Sequence, residues 1–198
     1  MRDSREHGDP VRATLVDGVG PDPTQPAAIL PLVSREGDRR VLSEWIDAQP
    51  GYEVVDPQES VSTAPFDLCV VDTAGLQAHA ETILARRREE APVLLPVLLL
   101  LPAVESGRLA AAGNELGAQV LQDAVDEVVS LPIGKPKFAW RVRTLLRLRS
   151  QSLRLKARER ELREFHRATE AAGHAVYITD AEGTIEYVNP AFERITGY

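Results

Sequence analysis

The chain has 198 residues, 43% of them hydrophobic, which is enough for one full domain with a buried core and something more, and which excludes wholesale disorder. The formal net charge of −7 argues against general nucleic-acid binding, although residues 137–167 hold eleven Lys/Arg against three Glu, so everything else is strongly acidic. A single cysteine, Cys69, excludes an intrachain disulfide or a multi-cysteine metal site.

Residues 1–25 mix Arg, Asp, Gly and Pro without apolar periodicity and read as a flexible leader with no signal-peptide pattern. Residues 27–33 (AAILPLV) form an apolar run and a first strand, shortened or bulged by Pro31, which lacks the ladder donor. A turn at 34–37 leads into a helix over 38–48, with Asp38 as N-cap and Val41, Leu42, Trp45 and Ile46 on its inner face. Gly51 closes that helix and 52–55 is a short second strand, while 56–65 is polar with two prolines and supports only a degenerate helix.

FDLCVVD, residues 66–72, is the third strand. Its apolar run is unbroken, so both faces are covered, as in a central parallel strand. It ends in Asp72, and the carboxyl ends of parallel strands are where ligands and chemistry gather. Cys69 inside it reads as a small buried thiol, and Asp67 as the residue that leads the strand in. A helix over 76–88 turns Leu76, Ile83 and Leu84 inward and ends on Arg86–Arg88, where cations suit the dipole. Residues 91–104 are the most hydrophobic stretch, but they are too short and too rich in proline for a membrane helix; 97–101 is a fourth strand. A small-residue helix over about 106–124 carries Gly113 and Gly117, and 126–130 is a fifth strand, followed by Leu131-Pro132-Ile133-Gly134. Strands alternating with helices five times imply an α/β, parallel, doubly wound sheet over about 26–150.

Residues 137–172 contain no proline or glycine and form one helix of about 50 Å. Leu148, Leu155 and Leu162 recur every seven residues, with Leu145 half a heptad earlier. A two-stranded signalling helix joining two copies is the favoured reading, ahead of a solvated helix and of nucleic-acid binding through Arg141, Arg143, Arg147, Arg149, Arg154 and Arg158. His166 reads as a surface or packing residue, and neither His79 nor His174 has a cluster to join. A hairpin of 175–179 and 184–188 follows, then a helix capped by Asn189 with Pro190 in its first turn and Phe192 and Ile195 facing inward.

AILPLVSRE, FDLCVVD, VLLLLPA and DEVVSLPIGKPKFAWRVRTLLR together resemble the response-regulator receiver domain over about 27–150. The resemblance implies a metal-assisted phosphoacceptor at Asp72. It also places the family's acid pair on Ser34 and Arg35, its hydroxyl on Leu101 or Pro102, its lysine on Leu131 and its turn proline, often cis, on Pro132. Only Asp72 keeps the family's residue type, and Arg35 is expected to pair with it, so Mg²⁺ binding and phosphorylation are expected to be lost. The expectation is a pseudo-receiver kept for its partner surface; the alternative is an active phosphorelay element at Asp72. YVNPAFERITGY, after the turn DAEG, resembles the start of a PAS sensory domain over about 160–198, with too little of it to assign a cofactor or ligand. This order of parts resembles archaeal sensor histidine kinases and bacterio-opsin-activator-like regulators, and the scarcity of lysine with excess acid favours a halophile. The chain is thus expected to be a cytoplasmic signalling module that binds a protein or a second copy, with no catalytic domain, metal or membrane contact of its own; the second alternative is part of a DNA-binding regulator.

Overall fold

The computed structural model describes residues 25–56, 61–102 and 122–197. The leader, most of the helix expected over 106–124 and part of 56–65 lie outside them; residues 61–67 form turns rather than helix. Five strands make one parallel sheet: β1 (Ala27–Leu32), β2 (Tyr52–Val54), β3 (Leu68–Asp72), β4 (Val97–Pro102) and β5 (Glu127–Leu131), in the order β2-β1-β3-β4-β5. That is the doubly wound arrangement expected from the alternating pattern, with the order reversing between β1 and β3.

The sheet is covered on both faces, which is why its strands carry apolar runs. Leu30, Leu32, Cys69, Val71, Val97 and Leu99 pack with Leu76 and Ile83 of α2 (Thr73–Glu90). Ile29, Leu68, Val70 and Leu98 face the other way, against Leu42 and Ile46 of α1 (Glu36–Asp47) and Phe138, Val142 and Leu145 of α3 (Lys135–Ala171). Leu68, Val70 and Val71 are wholly buried, each stabilising the fold by about 1.5–3 kcal/mol as an upper estimate.

Pro31 neither shortens nor bulges β1. The Ile29 carbonyl accepts from Val55 N–H and the Ala28 carbonyl from Asp67 N–H, so odd residues of β1 turn their polar groups to β2 and even ones to β3. β2 ends at Val54, opposite Ile29, so the donor that Pro31 lacks would have faced past the end of β2. On the other side the register with β3 runs unbroken from Ile29 to Leu32.

α1 starts at Glu36, with Arg35 rather than Asp38 at the cap position and no side-chain cap bond. Asp38 stands instead in the first turn, where its charge suits the dipole. Val41 is 60% exposed, on the margin of a buried face set by Leu42 and Ile46. Trp45 packs edge-on against Phe138, with ring centroids 4.8 Å apart. The Leu131–Pro132 peptide is cis, as the resemblance implied, and so is Ala91–Pro92.

α3 spans 37 residues, about 55 Å. Its first four turns lie on the sheet and the remainder extends past it. Leu145 belongs to the sheet's core, whereas Leu148, Leu155 and Leu162 are exposed. No helix among the described residues is long and apolar enough to cross a membrane. Beyond α3, β6 (Tyr177–Thr179) and β7 (Ile185–Val188) pair as an antiparallel hairpin, followed by α4 (Pro190–Thr196). Ile195 is 65% exposed rather than inward, because a two-stranded hairpin and one short helix offer it no second layer.

Candidate functional site

The carboxyl edge of the sheet gathers the residues that the sequence singled out. β1 ends next to Ser34, β3 ends in Asp72, and α2 begins at Thr73 with no intervening loop. A chain that turns from strand to helix this abruptly needs a cap at the strand's last residue, and Asp72 supplies it. Its Oδ1 accepts from Gly75 N–H at 2.6 Å. Its Oδ2 accepts from the Ser34 N–H at 2.8 Å and, in a very short contact, from the Ser34 hydroxyl. One carboxylate therefore starts α2 and ties it to the end of β1.

Gly75 makes the arrangement possible. A Cβ there would stand 1.9 Å from the Leu32 carbonyl oxygen and 3.1 Å from Asp72 Oδ1. The backbone of α2 reaches β1 only because that atom is missing.

Arg35 does not pair with Asp72. It is exposed beside the start of α1, and Asp72 Oδ2 accepts instead from the N–H and hydroxyl of Ser34. Leu101 is buried at 3% exposure and pairs with Ser130 of β5, leaving no hydroxyl at the position beyond Leu100, the β4 residue in register with Asp72. Leu131, at the lysine position, is half-buried beside the exposed Pro132, two strands from Asp72. Lys135 opens α3 and is exposed; the hydrogen bonds of Asp72 go to Ser34 and Gly75.

A divalent cation of the Mg²⁺ kind takes near-octahedral oxygen ligands, carboxylates first among them. Here one carboxylate faces a serine, a backbone amide and apolar neighbours, and its two oxygens already accept hydrogen bonds. Among the described residues no three His, Cys, Asp or Glu side chains gather anywhere. The described residues around Asp72 do not fit the ion.

The long helix carries a second polar feature that its composition hid. Arg149 is buried at 8% exposure. Its guanidinium pairs with Glu90 Oε2 in a very short contact, donates to the Leu94 carbonyl at 2.9 Å, and lies 3.6 Å from Asp67 Oδ1. Arg141 pairs with Glu127 at 2.5 Å. Two of the six arginines proposed for phosphate contacts are thus engaged with carboxylates.

At the C-terminal end, Asn189 is fully buried and does more than cap α4. Its Oδ1 accepts from Phe192 N–H at 3.0 Å and Val176 N–H at 2.9 Å, while its Nδ2 donates to the carbonyls of Thr169 and His174 at 2.9 and 3.1 Å. One side chain joins α3, the hairpin and α4. The His166 ring lies 5.8 Å from that of Tyr187, and its Nε2 is 3.4 Å from Glu170, so His166 packs the hairpin against α3.

Residues 163–198 match the family model of the PAS domain. The chain has no match among curated proteins. Among solved structures, an adenylate cyclase from Rhodopirellula baltica is similar at 14% identity and a TM-score of 0.48, over 70% of this chain and 98% of that one. Full-length FixJ from B. japonicum is similar at 14% identity and 0.46, over 63% of this chain and 59% of its own. NtrX from Brucella abortus in complex with ADP is similar at 15% and 0.46, over 79% of this chain and 32% of its own. The receiver-like sheet order and the PAS match are the two parts that the sequence implied, in the order implied.

Proposed function

We propose that the chain is a signal-transduction module whose parallel-sheet domain works through protein contact rather than through a phosphate on Asp72, and whose α3 couples that domain to the PAS segment. The observation that carries this reading is the occupation of the Asp72 carboxylate. A phosphoryl group on either oxygen would compete with the cap of α2 or with the tie to Ser34. It would also bring negative charge to a place where, among the described residues, no cluster of carboxylates stands ready to hold a neutralising cation. The groups that would sense a phosphate are replaced by Leu101 and Leu131.

A second copy of the chain is the partner that α3 supports. Leu148, Leu155 and Leu162 stand exposed at seven-residue spacing and supply one apolar row of a heptad seam, while Ser152 and Glu159 occupy the other. The order of a receiver-like domain, a long helix and a PAS segment supports an output in a sensor histidine kinase or an activator-like regulator. The pairs Arg141–Glu127 and Arg149–Glu90 draw arginines away from a nucleic-acid surface.

The test is incubation of the purified chain with Mg²⁺ and acetyl phosphate, read by intact mass, with beryllofluoride in parallel. No adduct is expected. An adduct on the wild type that is absent from Asp72→Asn overturns the reading and makes the domain a working phosphoacceptor. Sedimentation of the wild type against Leu155→Glu/Leu162→Glu tests the partner: the wild type should dimerise and the variant should not.

A further inference from the structure

The last turn of α2 sends ties in three directions. Arg86 stacks over Phe66, its charge 4.3 Å from the ring centroid, and donates to the carbonyls of Val61, at 3.0 Å, and Ala64. Arg87 makes a two-pronged pair with Asp126, at 2.8 and 2.9 Å, and Asp126 also accepts from the Val97 N–H. Glu90, the last residue of the helix, pairs with Arg149 on α3.

That third tie stands where α3 leaves the sheet. Before it, Phe138, Val142 and Leu145 are in the core; after it, Leu155 and Leu162 are exposed. The joint has further members. Ser152 Oγ accepts from the Leu94 N–H at 3.0 Å and donates to the Arg149 carbonyl at 2.7 Å, and Lys156 Nζ lies 3.4 Å from the Glu90 carbonyl. Asp67, which accepts from the Ala28 N–H, faces Arg149 Nε at 3.6 Å, too far for a hydrogen bond, and that buried nitrogen has no other partner. Glu90 Oε1 also accepts from Arg86 Nε at 3.2 Å, so the carboxylate stays paired if Arg149 is removed. Removing Glu90 instead leaves the buried guanidinium with only the Leu94 carbonyl and the more distant Asp67. A buried guanidinium held in this way fixes direction.

The opposite end of α2 is the Asp72 cap. Eighteen residues, about 27 Å of helix, separate the two ends. We propose that α2 is a connecting rod: Asp72 holds one end against β1, and the Glu90–Arg149–Asp67 joint at the other end sets the angle at which α3 leaves the sheet domain. This rests on the reading that a change in the sheet domain passes on through α3, and it names the part that carries the change. Arg149 and Glu90 are positioning residues in this account.

The experiment measures distances in the full chain. Spin labels go on Gln77→Cys, exposed on α2, and Glu161→Cys, exposed on the free part of α3, with Cys69 left buried. Excess unlabelled protein suppresses signals between copies. The parent should give one narrow distance distribution. Arg149→Met should at least double its width, and Glu90→Gln should widen it as well and serves if Arg149→Met fails to fold. Asp72→Ala should shift or widen it from the far end. Arg87→Met, which breaks the neighbouring tie, should leave it unchanged. The proposal is overturned if Arg149→Met and Glu90→Gln both leave the distribution as it was. It is also overturned if Arg87→Met widens it equally, or if Asp72→Ala has no effect while Arg149→Met does. An adduct on Asp72 in the mass assay would sink the proposed function, while the variant distances are read on unmodified protein and do not depend on that outcome, so the two failures are distinguishable.

Discussion

Replacing Gly75 by alanine sets two effects of opposite sign against each other. In an open helix the change adds up to about 1 kcal/mol, the difference in helix propensity. Here the new Cβ would stand 1.9 Å from the Leu32 carbonyl oxygen, and contacts under 3.0 Å do not persist, so α2 and β1 must separate by about 1 Å. A separation of that size stretches either the 2.6 Å bond from Gly75 or the 2.8 Å bond from Ser34 beyond hydrogen-bonding range. Overpacking costs about 1–3 kcal/mol and the lost cap or tie about 0.5–2 kcal/mol. After the propensity gain, the variant should be less stable by roughly 0.5–4 kcal/mol. Urea unfolding followed by circular dichroism measures it, as a lower midpoint at unchanged slope. A variant as stable as the parent, or more so, would refute the close approach and with it the cap geometry at Asp72.

Other perturbations report on the same framework. Ser34→Ala keeps the backbone donor to Asp72 and loses only the hydroxyl, so it should cost about 1–2 kcal/mol in the same urea assay, less than Asp72→Ala, which loses all three bonds. Asn189→Asp should turn two donated bonds into carboxylate–carbonyl repulsion, speeding hydrogen exchange across residues 176–197 while residues 27–102 keep their protection. Burial raises the Cys69 thiol pKa far above its ordinary value, with Arg86 opposing it weakly. The folded chain therefore withholds a thiolate that the unfolded chain forms above about pH 9, so stability should fall there by about 1.4 kcal/mol per pH unit. Cys69→Ala should lack that part of the alkaline decline, and a difference between the two curves that does not change with pH would count against it.

Strand periodicity is local, and so β3 and β4 were legible: an apolar run bounded by polar residues says how many faces are covered without naming the cover. The cap at Asn189 was legible for the same reason, since it depends on a few consecutive residues, whereas the cis turn at Pro132 was implied only by the family resemblance. Arg149 was not. Its neighbours are arginines, and its partner Glu90 lies 59 residues away, so it read as one more solvated charge. Val41 and Ile195 misled because helical spacing gives a face but not its width. The expected Arg35–Asp72 pair does not form because the chain leaving β1 presents Ser34, not Arg35, to Asp72.

The order of residues by itself determined the strands, the long helix, the single acid at the end of β3 and the absence of acids at the two positions after β1. Tertiary structure decided what that acid does: the direct step from β3 into α2, and the approach that Gly75 permits, turn Asp72 into a cap and a tie. It also decided which arginine of a basic helix is a joint. Burial and long-range pairing depend on which segments meet in space, and no stretch of chain carries that knowledge alone.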